Sequence, residues 1–154
     1  MPADASSSDD PSNLVILYNE NYYTYLKDST TIFVNGNPIP GADLPTFEVI
    51  QDGYARDAVH IFYFGEMIPE ADAATFEILE SPYTKDLDSV FWMENTIAGA
   101  DVSTFRILNA NFECSADANF AYYQDQPVPN FDPASIPSTS QVTNCDSAGM
   151  YFSP

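Results

Sequence analysis

Two sets of aspartates recur along this chain at matching intervals. Asp28, Asp57, Asp86, Asp117 and Asp146 form one set; Asp43, Asp72, Asp101 and Asp132 form the other. If the repeated segments stack, each set becomes a ladder of carboxylates. Hard cations such as Ca²⁺ take about six to eight oxygen ligands, and aspartates in successive turns can supply them. Asp28, Asp57, Asp86 and Asp117 are therefore the candidate metal ligands, with Ca²⁺ the cofactor they would suit. The competing chemistry is local. An aspartate in a hairpin turn accepts hydrogen bonds from backbone two residues on, and one before a short helix caps it. The Asp-rich nonapeptide of Ca²⁺-binding β-rolls is absent, and both readings stay open on sequence.

The second recurring chemistry is aromatic. Phe33, Phe62-Tyr63, Phe91-Trp92, Tyr122-Tyr123 and Tyr151-Phe152 occupy equivalent positions. Neighbours along a strand face opposite sides, so one member of each pair should be core. The other members, Tyr63, Trp92, Tyr123 and Phe152, could line up as a column that binds sugar rings, broken at Val34 in the first copy. The alternative is a second packed face.

Other candidates are fewer. Lys27, Arg56 and Lys85 each precede an aspartate of the first set and read as ion pairs that relieve like-charge repulsion, worth about 0–1 kcal/mol each when exposed. His60 is the only histidine. It stands where Thr31 and Ser89 stand in other copies, which reads as a variable turn residue rather than a general base. Cys114 and Cys145 lie two consensus positions apart in the last two copies, on the same side of equivalent strands. A disulfide between them is expected if their Cα atoms come within about 7 Å; two small buried thiols are the alternative. No nucleophile elbow, P-loop, zinc spacing or dinucleotide fingerprint is present. No catalytic residue is nominated, and the expectation is that the chain is not an enzyme.

These residues are positioned by an internal repeat. Asp28, Asp57 and Asp86 are spaced by 29 residues, as are Asp43, Asp72 and Asp101. Framed on the aromatic that opens each copy, the units are 18–46, 47–75, 76–104, 105–135 and a partial 136–154. Leu14 to Leu17 precedes them and reads as a strand that caps the array. The fourth unit is two residues longer. The fifth stops mid-unit, as either a closing cap or a chain that continues. Residues 1–13, rich in Ser, Asp and Pro, are expected to be a disordered tail, leaving 14–154 as a single repeat domain.

The consensus runs Tyr-x-Lys/Arg-Asp-x-x-x-Ile/Val-Phe-Tyr-x-Gly, then Ile-Pro-Gly-Ala-Asp-x-x-Thr-Phe-Glu-Val-Ile. It resembles the DKNYY family of bacterial tandem-repeat proteins across Tyr18 to Asp132. The first aspartate is followed here by Ser29, Ala58 or Leu87 rather than the Lys-Asn of the family name. What the resemblance implies is a repeat architecture; it brings no catalytic residue and no substrate.

Each unit should supply about three short strands. Tyr54-Ala-Arg-Asp57 and Ile61-Phe-Tyr-Phe-Gly65 read as strands joined by a three-residue turn. Gly36 and Gly65 mark a second turn or bulge, where Asn95 takes the left-handed role in the third copy. Gly41-Ala-Asp43-Leu-Pro-Thr46 reads as a short helical turn with Asp43 as its cap. One unit cannot bury its own apolar face, but stacked neighbours can. The fold class is all-β: tandem β-hairpin repeats of about 29 residues, stacked as a solenoid or twisted meander, each with a short helical turn.

Composition bounds the function. Twenty-three acidic residues against four basic ones give a net charge of −19 over 154 residues. That argues against nucleic acid and anionic membrane surfaces as partners, because both need Lys and Arg. No apolar run is long enough for membrane insertion, and no signal peptide is visible in residues 1–13. A disulfide would imply an oxidising compartment, so the expected location is extracytoplasmic: secreted, periplasmic or cell surface. The function expected is a non-catalytic structural or interaction module, with a protein or glycan partner or self-assembly. The alternative is a Ca²⁺- or glycan-binding repeat array.

Overall fold

The structure, a computed structural model, describes residues 14–20 and 23–153. The expected tail, 1–13, lies outside the described residues. Among these residues no helix is long and apolar enough to cross a membrane. The fold is all-β, built of small antiparallel sheets. The chain forms two compact units, one ending at Pro69 and the other beginning at Glu70.

The first unit holds two four-stranded meanders, each in sequence order. One is β1 (Val15–Glu20), β2 (Tyr23–Lys27), β3 (Ile32–Val34) and β4 (Asn37–Pro38). The other is β5 (Glu48–Gln51), β6 (Tyr54–Arg56), β7 (Ile61–Tyr63) and β8 (Glu66–Met67). The expectation of three strands per repeat misses the fourth, a strand of only two residues. The segment expected to cap the array is instead the start of β1, which pairs with β2 from Val15↔Lys27 to Glu20↔Tyr23.

Two-residue loops close the last hairpin of each meander. Asn35 and Gly36 have φ of +49° and +85°, and Phe64 and Gly65 have +47° and +87°. Positive φ at both central residues gives the turn that matches strand twist. At Gly65 a side chain is excluded twice over: by φ, and because a Cβ would meet Val34 Cγ1 at 2.7 Å. The core of this unit gathers Tyr23, Tyr25, Ile32, Val34, Ile39, Ala55 and Phe62. Tyr25 is fully buried and its hydroxyl donates to the Gly53 carbonyl at 2.6 Å, so the phenol's polar end is satisfied inside.

The second unit repeats the meander twice and ends on a hairpin. Its first sheet is β9 (Glu77–Glu80), β10 (Tyr83–Lys85), β11 (Val90–Trp92) and β12 (Asn95–Thr96). Its second is β13 (Arg106–Asn109), β14 (Cys114–Ala116), β15 (Ala121–Tyr123) and β16 (Gln126–Pro127). The closing hairpin is β17 (Gln141–Asp146) with β18 (Gly149–Ser153). In the loop between β11 and β12 the left-handed residue is Met93, at φ +55°, not Asn95. Asn95 pairs with Trp92 as the first residue of β12, because the strand register puts the two-residue loop one step earlier.

Among the described residues, the helical turn expected in every repeat forms in two places. Leu44–Thr46 and Pro133–Ser135 are single 3₁₀ turns. Residues 73–75 and 102–104 form plain turns with the same Asp-to-Thr hydrogen bonds.

Candidate functional site

Asp28, Asp57, Asp86 and Asp117 sit where a hairpin turn joins the second and third strands of each four-stranded sheet, and Asp146 sits at the turn of the closing hairpin. Asp28, Asp57, Asp86 and Asp117 are all buried, at 2–5% exposure. Free carboxylates are not buried without partners, and the partners here are mostly backbone N–H groups. Oδ1 of Asp57 accepts from Val59 and His60 at 2.9 and 2.7 Å. Oδ1 of Asp86 accepts from Asp88 and Ser89, both at 2.8 Å. Oδ1 of Asp117 accepts from Asn119 and Phe120, both at 2.8 Å. Asp28 does the same with Thr30 and Thr31. This is the turn chemistry that aspartate supplies in any short loop.

The second oxygen reaches further. Oδ2 of Asp57 accepts the backbone N–H of Asp43 at 2.9 Å. Oδ2 of Asp86 accepts that of Asp72, and Oδ2 of Asp117 that of Asp101, each at 2.8 Å. The two aspartate sets are thus joined to each other. The segment that leads into a sheet is tied to the hairpin turn inside that sheet.

A threonine completes the link. Thr46, Thr75 and Thr104 each donate a hydroxyl hydrogen to the lead-in aspartate three residues before, at 2.6–2.8 Å. The same hydroxyl oxygens accept the backbone N–H of Ala58, Leu87 and Ala118 at 2.8–2.9 Å. These threonines were not nominated from sequence. Their signal was present as an Asp-x-x-Thr pattern at the repeat spacing.

The lead-in aspartates also cap their own turns where a donor exists. Asp72, Asp101 and Asp132 accept from Ala74, Ser103 and Ala134. Asp43 makes no such bond, because the residue two positions on is Pro45, which has no N–H.

Electrostatics follow from these bonds. Burial pushes the Asp57 carboxyl up, but the N–H groups of Asp43, Val59 and His60 and the His60 ring outweigh it, leaving the pKa below the usual range. Asp117 follows the same logic, with Asp101, Tyr122 and the Phe120 and Asn119 amides overcoming burial. Asp28 is lowered chiefly by the Thr30 amide, and Asp101 chiefly by the Thr104 hydroxyl. Tyr122 donates to Oδ2 of Asp117 at 2.7 Å, and its own pKa is raised by burial and by that carboxylate.

The structure thus brings each candidate metal-binding aspartate to a turn and surrounds it with N–H donors. Among the described residues, no group of three or more His, Cys, Asp or Glu side chains is arranged to hold a metal ion. His60 lies beside Asp57, its Nδ1 within 3.1 Å of Oδ1. Arg56 pairs at 3.6 Å with Glu48, its cross-strand neighbour, rather than with the adjacent aspartate. Strand alternation turns residues 56 and 57 apart, which is why the ion pair crosses the sheet.

The aromatic set divides by position. Phe62, Phe91 and Tyr122 are fully buried, as expected for the core member of each pair. Of the proposed column, Trp92 is also buried, at 8% exposure, while Tyr63 and Tyr123 are half-buried. Tyr63 packs against Tyr54 and Phe64, and Tyr123 against the last core cluster. Phe152 stays exposed.

Cys114 and Cys145 are joined in a disulfide, with Cα atoms 5.9 Å apart. It fastens β17 to β14 within a cluster that includes Ala116, Val128, Val142 and Met150. A hollow of about 610 Å³ in the first unit is lined by Val34, Asn35, Pro40, Phe64 and Met67 among others, with Glu66 its ionisable side chain.

The family model described as the DKNYY family matches this chain three times, over residues 10–95, 67–126 and 83–149. No curated protein and no solved structure matches it.

Proposed function

This chain belongs to the DKNYY family, and from that premise we propose that it is a non-catalytic β-repeat module serving structure or interaction. One observation carries the reading. The polar groups that recur most faithfully, Asp57, Asp86 and Asp117 with Thr46, Thr75 and Thr104, direct their oxygens to backbone N–H groups of the fold itself. Residues kept by a repeat for that purpose hold strands in register. A carboxylate already accepting three N–H bonds is a poor cation ligand, since a metal would have to displace donors that have no other partner.

The module works outside the cytoplasm in this reading. The Cys114–Cys145 disulfide is of the kind that persists in oxidising compartments. A net charge of −19 keeps copies soluble and favours basic or cationic partners over nucleic acid. The alternative, a Ca²⁺- or glycan-binding array, draws support from the exposure of Phe152 and Tyr151 on the last hairpin.

The test is a thermal melt in excess Ca²⁺ and in chelator, at matched ionic strength. Coincident curves are expected. A saturable rise in Tm would assign the aspartates to cation binding, because a ligand that binds only the native state stabilises it by mass action. Trp92 and tyrosine fluorescence titrated with oligosaccharides covers the glycan arm, where no change is expected.

A further inference from the structure

Two aromatic residues break the repeat in one place. Where Thr31, His60 and Ser89 stand at the hairpin turns of the first three sheets, the fourth carries Phe120. Where Ala42, Ala71 and Ala100 directly precede a lead-in aspartate, the chain carries Phe131 before Asp132. Both line one groove of about 510 Å³ in the second unit, with Asn119, Pro127, Pro129 and Asp132. Phe120 is 50% exposed, its ring tilted against Tyr122. Phe131 is half-buried and packs against the last core cluster.

The charge in this groove is released from its usual work. Asp43, Asp72 and Asp101 each offer Oδ2 to a threonine hydroxyl. Three residues after Asp132 stands Ser135, and its hydroxyl donates to the Asp132 carbonyl oxygen at 2.6 Å instead. The link between the two aspartate sets ends here as well. Asp146 is exposed, and its Oδ2 accepts from the Tyr151 hydroxyl at 3.2 Å where its counterparts accept a lead-in amide. Among the described residues, the exposed Asp132 carboxylate keeps the Ala134 N–H at 2.9 Å and makes no ion pair. Arg106, which lines a separate hollow with Pro133 and Ala134, does not neutralise it.

We propose that this groove binds a basic segment of a partner protein, an arginine or lysine side chain resting on Phe120 and Phe131 with its charge directed to Asp132. A cation is attracted to an aromatic face within about 6 Å of the ring centre, arginine more often than lysine. Charge complementarity decides the class of occupant. An exposed carboxylate beside apolar rings, on a chain of net charge −19, draws cationic segments and repels acidic ones. The proposal names the partner class for the interaction-module reading and rests on that reading.

Titration calorimetry on the full chain at about 0.15 M salt tests it. The probes are a capped peptide carrying two arginines and the same peptide with glutamines in their place. The arginine peptide is expected to bind, and the glutamine peptide to bind about tenfold more weakly or not at all. Phe120→Ser gives the turn the residue that Ser89 supplies in the third sheet, and the side chain is exposed, so the fold is kept. It should weaken arginine-peptide binding about tenfold, as should Asp132→Asn. Asp88→Asn makes the same charge change at an exposed turn outside the groove and should leave the affinity nearly unchanged, because salt screens it. Failure of the arginine peptide to bind overturns the proposal, and equal binding of both peptides overturns its cationic occupant. Equal weakening by Asp132→Asn and Asp88→Asn, with Phe120→Ser without effect, assigns the attraction to net charge alone; the groove then falls while the interaction-module reading stands. A Ca²⁺-dependent rise in Tm would count against that reading without altering these peptide affinities, so the two failures are told apart.

Discussion

The backbone N–H of Asp72 donates to Oδ2 of Asp86 at 2.8 Å across 14 residues of sequence. Two aspartates of like charge are thereby held together, one through its main chain and the other through its side chain. No salt bridge is needed. The positive end of a peptide dipole meets a buried carboxylate, and the Asp72 carboxylate turns instead to Thr75 and Ala74. The same relationship recurs at Asp43 with Asp57 and at Asp101 with Asp117.

Removing such a carboxylate should be expensive. Asp86→Ala leaves the amides of Asp72, Asp88 and Ser89 without their shared acceptor at a half-buried turn. The expected loss is about 3 kcal/mol. That corresponds to a drop in Tm of roughly 10 °C for a chain of this size. Asp146 accepts from Ala148 and Gly149 but is exposed. Asp146→Ala should therefore cost under about 1 kcal/mol, since water replaces the acceptor. Thermal or urea denaturation of the two variants decides the matter, and equal losses would contradict it.

Acid should weaken the fold through the same groups. The carboxyls of Asp28, Asp57, Asp101 and Asp117 all have pKa values lowered by folding. The unfolded chain then binds more protons than the folded one, so stability rises with pH across this window. The contribution is complete above the unfolded value of about 3.9 and is lost as pH falls through the lower folded values. Urea midpoints measured from pH 7 down to pH 2 should show this decline, and Asp117→Asn should make the acid slope shallower. An identical slope in the variant would remove Asp117 from the explanation.

Salt should act in the opposite sense to a protein held by surface ion pairs. At −19, long-range repulsion opposes the compact state. The Debye length shrinks from about 30 Å at 0.01 M salt to about 8 Å at 0.15 M. Tm is expected to rise over that range, and a flat profile would refute the role of repulsion.

Tyr122 offers a graded test. Its hydroxyl adds a further donor to Asp117, as Tyr151 does to Asp146, where the equivalent side chains in the three preceding sheets are Phe33, Phe62 and Phe91. Tyr122→Phe restores that pattern and should cost only about 1 kcal/mol. The Asp117 pKa, followed by carboxyl NMR, should rise in the variant.

The disulfide closes a loop of sequence separation 31. On chain-entropy grounds its loss is worth about 3–4 kcal/mol. Reduction, or Cys114→Ser with Cys145→Ser, should raise amide exchange in β17 and β18 well before it does so in β9 to β12. Uniform exchange across these strands would show that the bond does not hold the last hairpin in particular.

The sequence by itself determined the repeat, its spacing and the β class, and it placed Cys114 and Cys145 where a disulfide could form; the 5.9 Å approach of their Cα atoms came from the structure. These are local or periodic properties. A 29-residue recurrence of turn residues and alternating apolar positions leaves few other folds, and parity places two cysteines on one side of equivalent strands. It also offered the turn role of Asp57 and its counterparts as one of two readings, because aspartate bonding two and three residues ahead involves only near neighbours.

What the tertiary structure alone decided was the use of the second oxygen. The link from Asp43 to Asp57 spans 14 residues and depends on sheet register, on a bulge between Val49 and Gln51, and on Thr46 bridging to Ala58. Sequence spacing shows that two aspartate sets recur, but not that one set's main chain meets the other's side chain. The burial of Trp92 was likewise beyond pattern reading. Alternation says which face a side chain takes, and only packing against residues distant in sequence says whether that face is covered.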